Sequence, residues 1–180
     1  MTPAVFFDRD GTLMEEVQYC SDPARVRVYP GAPEALRELR AAGFRAFAIT
    51  NQSGIGRGLF TEAQYRAVHD EFLRQLGADL IDASYFCPDA PGTPSTRRKP
   101  EPGMVLEAAA QFGIDLENSF FIGDKAADIE CGRRAGTRTI LVLTGYGAGQ
   151  RCHSDFTARD VAEAVETAIR HRARPGALLP

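Results

Sequence analysis

Short apolar runs alternate along this chain with longer segments of helical period, and that alternation limits the possible folds more than any other feature. The runs are Ala4 to Phe7, Arg45 to Ile49, Ala83 to Phe86, Ser119 to Ile122 and Thr139 to Leu143. Each is strand-sized and near-continuously apolar, the pattern of strands buried on both faces. Strand and helix in regular succession predict βαβ units around a parallel sheet. The expected class is therefore α/β, a Rossmann-like parallel sheet between two layers of helices.

The helices are marked by their ends. Pro33 suits a first helical position and Gly43 a left-handed stop, with Leu36 and Leu39 facing inward between them. Thr61 and Gln64 have capping-box spacing, and Tyr65, Val68, Phe72 and Leu76 follow at helical intervals. Pro102 opens a third helix whose inner face is expected to carry Val105, Leu106, Ala109 and Phe112 before Gly113 ends it. A short fourth spans about 126–135, and the last is marked by Val161, Val165 and Ile169. One domain is expected over 1–173, with a flexible tail over 174–180.

Two segments fit neither period. Residues 14–29 read as a loop or flap, and Cys87 to Pro100, with four prolines and the basic run Arg97-Arg98-Lys99, as a second long loop. Both begin where strands end, and in parallel sheets ligands sit beyond the carboxyl ends of the strands. The chemistry is expected there.

Composition narrows the partners. The 24 acidic and 21 basic residues are interleaved and leave a formal charge of −3, so neither a nucleic-acid footprint nor a polybasic membrane patch is expected. No apolar stretch is long enough to span a bilayer and the first residues do not resemble a signal peptide, which makes a cytosolic protein the expectation. Cys20, Cys87, Cys131 and Cys152 have no CxxC spacing and are expected as reduced structural thiols. A monomer is expected, since no long exposed apolar segment is apparent.

The first apolar run ends in Asp8-Arg9-Asp10-Gly11-Thr12. Side chains at i and i+2 of a strand share a side, so Asp8 and Asp10 are expected to form a concentrated negative site that a cation or proton would relieve. The alternative is an acidic turn in which Asp10-Gly11 bends the chain. The second strand leads into Thr50-Asn51-Gln52-Ser53-Gly54, neutral donors suited to phosphate oxygens or to a polar turn. Lys99 offers a point charge for phosphate and Arg98 a planar fork, unless both belong to a solvated basic loop. The fourth strand ends in Gly123-Asp124-Lys125, with Asp128 one turn later, and Asp124 is either a further acid of the site or a helix N-cap. Carboxylate ligands with water and phosphate suit Mg²⁺ better than zinc. A carboxylate is also a competent nucleophile, forming an aspartyl-phosphate and dividing hydrolysis into two steps.

In order and spacing these segments resemble the haloacid dehalogenase superfamily, whose phosphatases use an Asp-x-Asp-Gly-Thr strand end, a hydroxyl, a lysine and a Gly-Asp segment. The resemblance implies Asp8 as nucleophile and Asp10 as general acid/base that also gives a main-chain oxygen to Mg²⁺. It implies Asp124 as the further metal ligand with Asp128 behind it, and Thr50 and Lys99 at the transferring phosphoryl group. The resemblance is nearest to the capless branch that contains heptose bisphosphate phosphatases and histidinol-phosphatase domains. It is carried by Thr50 to Gly58, Phe60-Thr61-Glu62, Cys87-Pro88, Arg98-Lys99-Pro100 and Gly123-Asp124-Lys125. It implies no cap domain and a small sugar phosphate as substrate, heptose bisphosphate first and histidinol phosphate second. Arg9, Asn51, Gln52, Ser53, Arg57, Arg98 and Lys125 are then expected at the substrate. A phosphate-binding domain without turnover is the non-enzymatic alternative. Zinc-containing members of the branch carry Cys-x-His after the third strand and Cys-x-Cys before Arg-Lys-Pro. Here the segments read Cys87-Pro88-Asp89 and Ser95-Thr96-Arg97, one ligand of four, so no zinc is expected.

Overall fold

A computed structural model describes residues 1–77 and 79–172. The tail expected over 174–180 lies outside the described residues. Strands β1 (Ala4–Phe7), β2 (Arg45–Asn51), β3 (Ala83–Cys87), β4 (Phe120–Gly123), β5 (Arg138–Val142) and β6 (Phe156–Ala158) form one sheet in the order β3-β2-β1-β4-β5-β6. Every pairing is parallel. Helices α1 (Ala32–Ala41), α2 (Ser53–Gly56), α3 (Glu62–Leu76), α4 (Gly103–Phe112), α5 (Ala126–Ala135) and α6 (Val161–Arg170) lie between the strands or after the last of them.

The continuous apolar strands are explained by two cores. Val5 and Phe7 of β1 point into one, with α1, α3 and α6. Ala4 and Phe6 point into the other, with α4 and α5. Period-2 alternation thus sends neighbouring residues to opposite helical layers rather than to core and solvent. Phe6 is in register with Phe47 on one side and Phe121 on the other, and its ring stacks on Phe47 at 5.4 Å between centroids. Burying such a side chain contributes roughly 1.5–3 kcal/mol.

The helix ends follow their signals. The Thr61 hydroxyl accepts from the Gln64 N–H while the Gln64 side chain accepts from the Thr61 N–H, closing the capping box on α3. Three features differ from expectation. Leu106 is 45% exposed; of the expected α4 stripe Val105 is buried and Ala109 and Phe112 pack against the core, which Met104 and Ala108 also enter. Strand β6 and the four-residue α2 carry too few residues to show a period.

The sheet order reverses between β1 and β4, which pair directly. A crevice opens at the carboxyl ends of such a switch point. Asp8 follows β1 and Asp124 follows β4, so the topology brings two acids 116 positions apart to adjacent strand ends, tied by the Asp8 N–H donating to Ile122 O at 2.9 Å.

Candidate active site

Four strand ends build the site. β1 delivers Asp8, β2 delivers Thr50 to Gln52, β4 delivers Asp124, and the loop from β3 returns Lys99 to the same edge. Asp8, Asp124 and Asp128 are all buried and offer ligand oxygens within 4.8 Å of one another, the described residues' one group of this kind. Lys99 stands in the midst of two of them. Its Nζ donates to Asp8 Oδ1 at 2.6 Å and to Ile49 O at 2.8 Å, and lies 2.7 Å from Asp128 Oδ1.

One ammonium cannot satisfy three buried acids, and the charges divide accordingly. Burial pushes the Asp8 carboxyl up, but the ammonium groups of Lys99 and Lys125 outweigh it and hold Asp8 below the usual range. Asp124 has no such partner close by, since Lys125 is 3.9 Å away, and burial together with the charge of Asp8 pushes it up to about 8. Asp128 is also raised, by burial and by Asp8, despite its contact with Lys99. Burial opposes the Lys99 charge, yet Asp128 and Asp8 together raise its pKa, so the lysine stays an ammonium.

The two oxygens of Asp124 differ. Oδ2 accepts the Tyr146 N–H at 2.9 Å, whereas Oδ1 is buried with no hydrogen-bond partner. A buried, unpartnered carboxylate oxygen among two further acids is a donor set that fits a hard divalent cation. Gly11 and Gly145 enclose this carboxylate: both have positive φ, +91° and +55°, and a Cβ at either would overlap Asp124 Oδ2. The N-cap of α5 is Lys125, whose N–H donates to Asp128 Oδ2 at 3.0 Å, so Asp124 is not the cap.

Asp8 and Asp10 both line the cavity, but Asp10 is not among its tightly grouped acids. Strand β1 ends at Phe7, the chain then turns, and the i, i+2 rule no longer applies. The negative cluster is Asp8 with Asp124 and Asp128, while Asp10 turns aside to Arg9, Gln52 and Thr50. Gln52 Nε2 also donates to Thr50 Oγ1 at 2.9 Å. Asn51 lies at the edge of β2, its Nδ2 donating to Lys99 O at 3.0 Å and its Oδ1 accepting the Lys99 N–H at 3.1 Å. Asp8, Asp10, Thr50, Asn51, Gln52, Ser53 and Lys125 all line one cavity of about 220 Å³, and the buried Lys99 stands behind Asp8.

The chain is 40% identical to D-glycero-D-manno-heptose-1,7-bisphosphate 7-phosphatase of Chlorobaculum tepidum, over 89% of this chain and 91% of that protein. The chain belongs to the haloacid dehalogenase superfamily. A HAD-hydrolase-like family model matches residues 96–168, the segment that carries Lys99 and Asp124. The phosphatase of the same name from Thermosynechococcus vestitus is 38% identical over 95% of this chain and 97% of its own. Among solved structures, the D,D-heptose 1,7-bisphosphate phosphatase of B. bronchiseptica, complexed with magnesium and phosphate, superposes with a TM-score of 0.84 at 30% identity, covering 93% of this chain and 98% of the other. A putative HAD-like phosphatase from Mesorhizobium loti gives 0.80 at 32% identity, covering 97% and 89%.

Other residues expected at the substrate of this haloacid dehalogenase domain are placed differently. Arg9 is a correction: it is wholly buried, does not line the cavity, and turns its guanidinium onto Asp10. Arg98 is half-buried and donates to Asp89 O within its own loop. Arg57 is exposed and lies over the Tyr19 ring, 5.8 Å from its centroid, at the cavity rim. Cys87 donates to Asp89 Oδ2 at 3.3 Å and lies 3.6 Å from Ser95 Oγ, which itself accepts the Arg97 and Arg98 N–H groups.

The cavity also holds Glu16, from the segment 16–19 that the family resemblance implies at the site, and Tyr146, which the sequence motifs passed over. Glu16 reaches from the flap to pair with Lys125 at 2.9 Å, and Lys125 lies over the Tyr146 ring at 4.9 Å. Tyr146 comes from the turn Thr144-Gly145-Tyr146-Gly147 after β5. Its signal was available in the sequence: glycines next to an aromatic residue, just beyond a fifth strand end.

Proposed function

We propose that this chain is an Mg²⁺-dependent phosphomonoesterase working through an aspartyl-phosphate on Asp8. Its proposed substrate is D-glycero-D-manno-heptose 1,7-bisphosphate, which loses the 7-phosphate. The observation that carries the reading is the buried Asp8 held ionised against Lys99, beside the unpartnered Oδ1 of Asp124. A carboxylate kept charged in a dry site is a nucleophile, and a free carboxylate oxygen next to it is a metal ligand. The names of the relatives support the substrate.

In the first step an Asp8 oxygen forms a bond to phosphorus, the ester P–O bond breaks, and the leaving alkoxide takes a proton from the Asp10 carboxyl. In the second, Asp10 takes a proton from water, the hydroxide oxygen bonds to phosphorus, and the P–O bond to Asp8 breaks. Lys99 and Thr50 supply positive charge and a hydroxyl donor to the phosphoryl oxygens as the chain's own share of charge stabilisation. Asp8 and Asp124 would hold the Mg²⁺, with Asp10 contributing a main-chain oxygen and Asp128 behind them. The bound ion would draw charge from the transferring group. Lys125, Glu16 and Tyr146 contact the rest of the sugar phosphate. The same reading has the enzyme acting as a cytosolic monomer, in keeping with four unpaired thiols.

Phosphate release is measured from heptose bisphosphate, histidinol phosphate and other small sugar phosphates, with Mg²⁺, with EDTA, and from Asp8→Asn. Heptose bisphosphate is expected to have the highest kcat/KM, with loss in EDTA and in the variant. Turnover that survives both treatments would rule out the mechanism, and a preference for another ester would replace the substrate.

A further inference from the structure

We infer that Arg9 is a positioning residue: its guanidinium fixes the plane of the Asp10 carboxylate, and the Tyr65 ring on α3 is its seat. Arg9 is fully buried and the largest such side chain in the described protein. Burying a guanidinium costs several kcal/mol unless its charge is paired with good geometry. Here the partner is no core acid but Asp10, which opens to the cavity.

The pairing is a fork. Arg9 Nε donates to Asp10 Oδ2 and one terminal nitrogen to Oδ1, each at 3.1 Å, which ties both oxygens and thereby the orientation of the group. The donors are uneven. Oδ2 also accepts from Gln52 at 3.0 Å and from Thr50 at 3.3 Å, whereas Oδ1 has Arg9 alone. Oδ1 therefore keeps the spare lone pair, and it is the oxygen left to exchange a proton with the leaving group or with water.

Arg9 in turn is held from behind. Its guanidinium carbon lies 5.3 Å from the centroid of the Tyr65 ring. That ring packs on Phe86 at 4.4 Å and on His69 at 5.7 Å. The other terminal nitrogen is buried with no partner, a cost that mere space-filling does not explain, since an apolar side chain would avoid it. The edge that faces Asp10 is the edge that is satisfied.

The inference rests on the acid role given to Asp10 under the proposed function. The test uses two esters on full-length protein. An alkyl phosphate needs a proton at its leaving oxygen, whereas p-nitrophenyl phosphate does not, and its first-turnover burst reports the phosphorylation step alone. Arg9→Lys keeps the charge and loses the fork. General acid catalysis contributes roughly 10²–10⁴-fold, so a misoriented acid is expected to lower kcat on the alkyl ester about tenfold or more relative to the burst rate, with KM moving less than about threefold. Asp10→Asn is run beside it and is expected to show the same selectivity, more strongly.

An equal loss on both esters in Arg9→Lys, or none on either, overturns the inference while a selective Asp10→Asn leaves the acid role standing. An unselective Asp10→Asn overturns the acid role and the inference with it. Should Arg9→Lys fail to fold by circular dichroism, Tyr65→Leu, which removes the seat and keeps the ion pair, carries the same comparison with the same two outcomes.

Discussion

Asp124 shows how closely a single side chain is specified here. One of its oxygens is committed to the Tyr146 N–H and the other is left bare, and two glycines with positive φ leave room for it. Gly145→Ala therefore faces two penalties, roughly 1–2 kcal/mol for a left-handed alanine and an overlap with the carboxylate. We expect lower stability in urea and weaker Mg²⁺ binding by calorimetry, even without substrate. His69 gives a pH signature away from the acids. Burial, aided by the nearby Arg9 charge, pushes it from 6.5 down to about 4. Between those values the unfolded chain takes a proton that the folded one refuses, so this residue's contribution to stability rises with pH across that window and is constant above it. His69→Phe keeps the contact with Tyr65 and is expected to remove on the order of 1–3 kcal/mol of that rise, read as the difference between the two proteins' urea curves at pH 4.5 and 7. Asp8, Asp124 and Lys99 were legible because their residue types and strand-end positions announce them. The direction of Arg9 was not, because alternation stops where β1 stops.

At the level of elements, α3 both covers the sheet and backs the site. Thr61→Ala removes its capping box and is expected to cost about 1 kcal/mol in unfolding experiments, with kcat nearly unchanged because Thr61 is exposed and does not line the cavity. Ser95→Ala is expected to do more, since two loop N–H groups lose their acceptor. A cost of roughly 1–3 kcal/mol and a raised KM should accompany it. Purified protein should carry no stoichiometric zinc by metal analysis, because Cys87 is the single cysteine in its loop. Helix ends were readable to within a residue or two where Gly43, Thr61 and Gly113 marked them. Strand β6 was not, since Phe-Thr-Ala alone carries no period, and it forms only because β5 offers an open edge. In α4 only Leu106 was misplaced, because Met104 and Ala108 are apolar enough to widen the inner face on its other side.

For the molecule as a whole, the crowd of acids is a destabilising feature that a cation relieves. Saturating Mg²⁺ should raise the unfolding temperature, with a gain of about 3 kcal/mol at a concentration a hundred times its Kd, and EDTA should reverse it. The fold also explains how Lys99 reaches Asp8 across 91 positions of sequence. The loop that bears it leaves β3 at Cys87, whose carbonyl accepts the Gln52 N–H at 2.8 Å, and returns to the Asn51 amide, which bonds both the N–H and the carbonyl of Lys99. That amide does for the loop what a ladder rung does for a strand. Both anchor points therefore sit on the end of β2, and the residues between them form a span with two fixed piers. The exposed positions of that span, 91 to 94, can therefore change without moving the ammonium, which leaves the contact with Asp8 independent of what those positions carry.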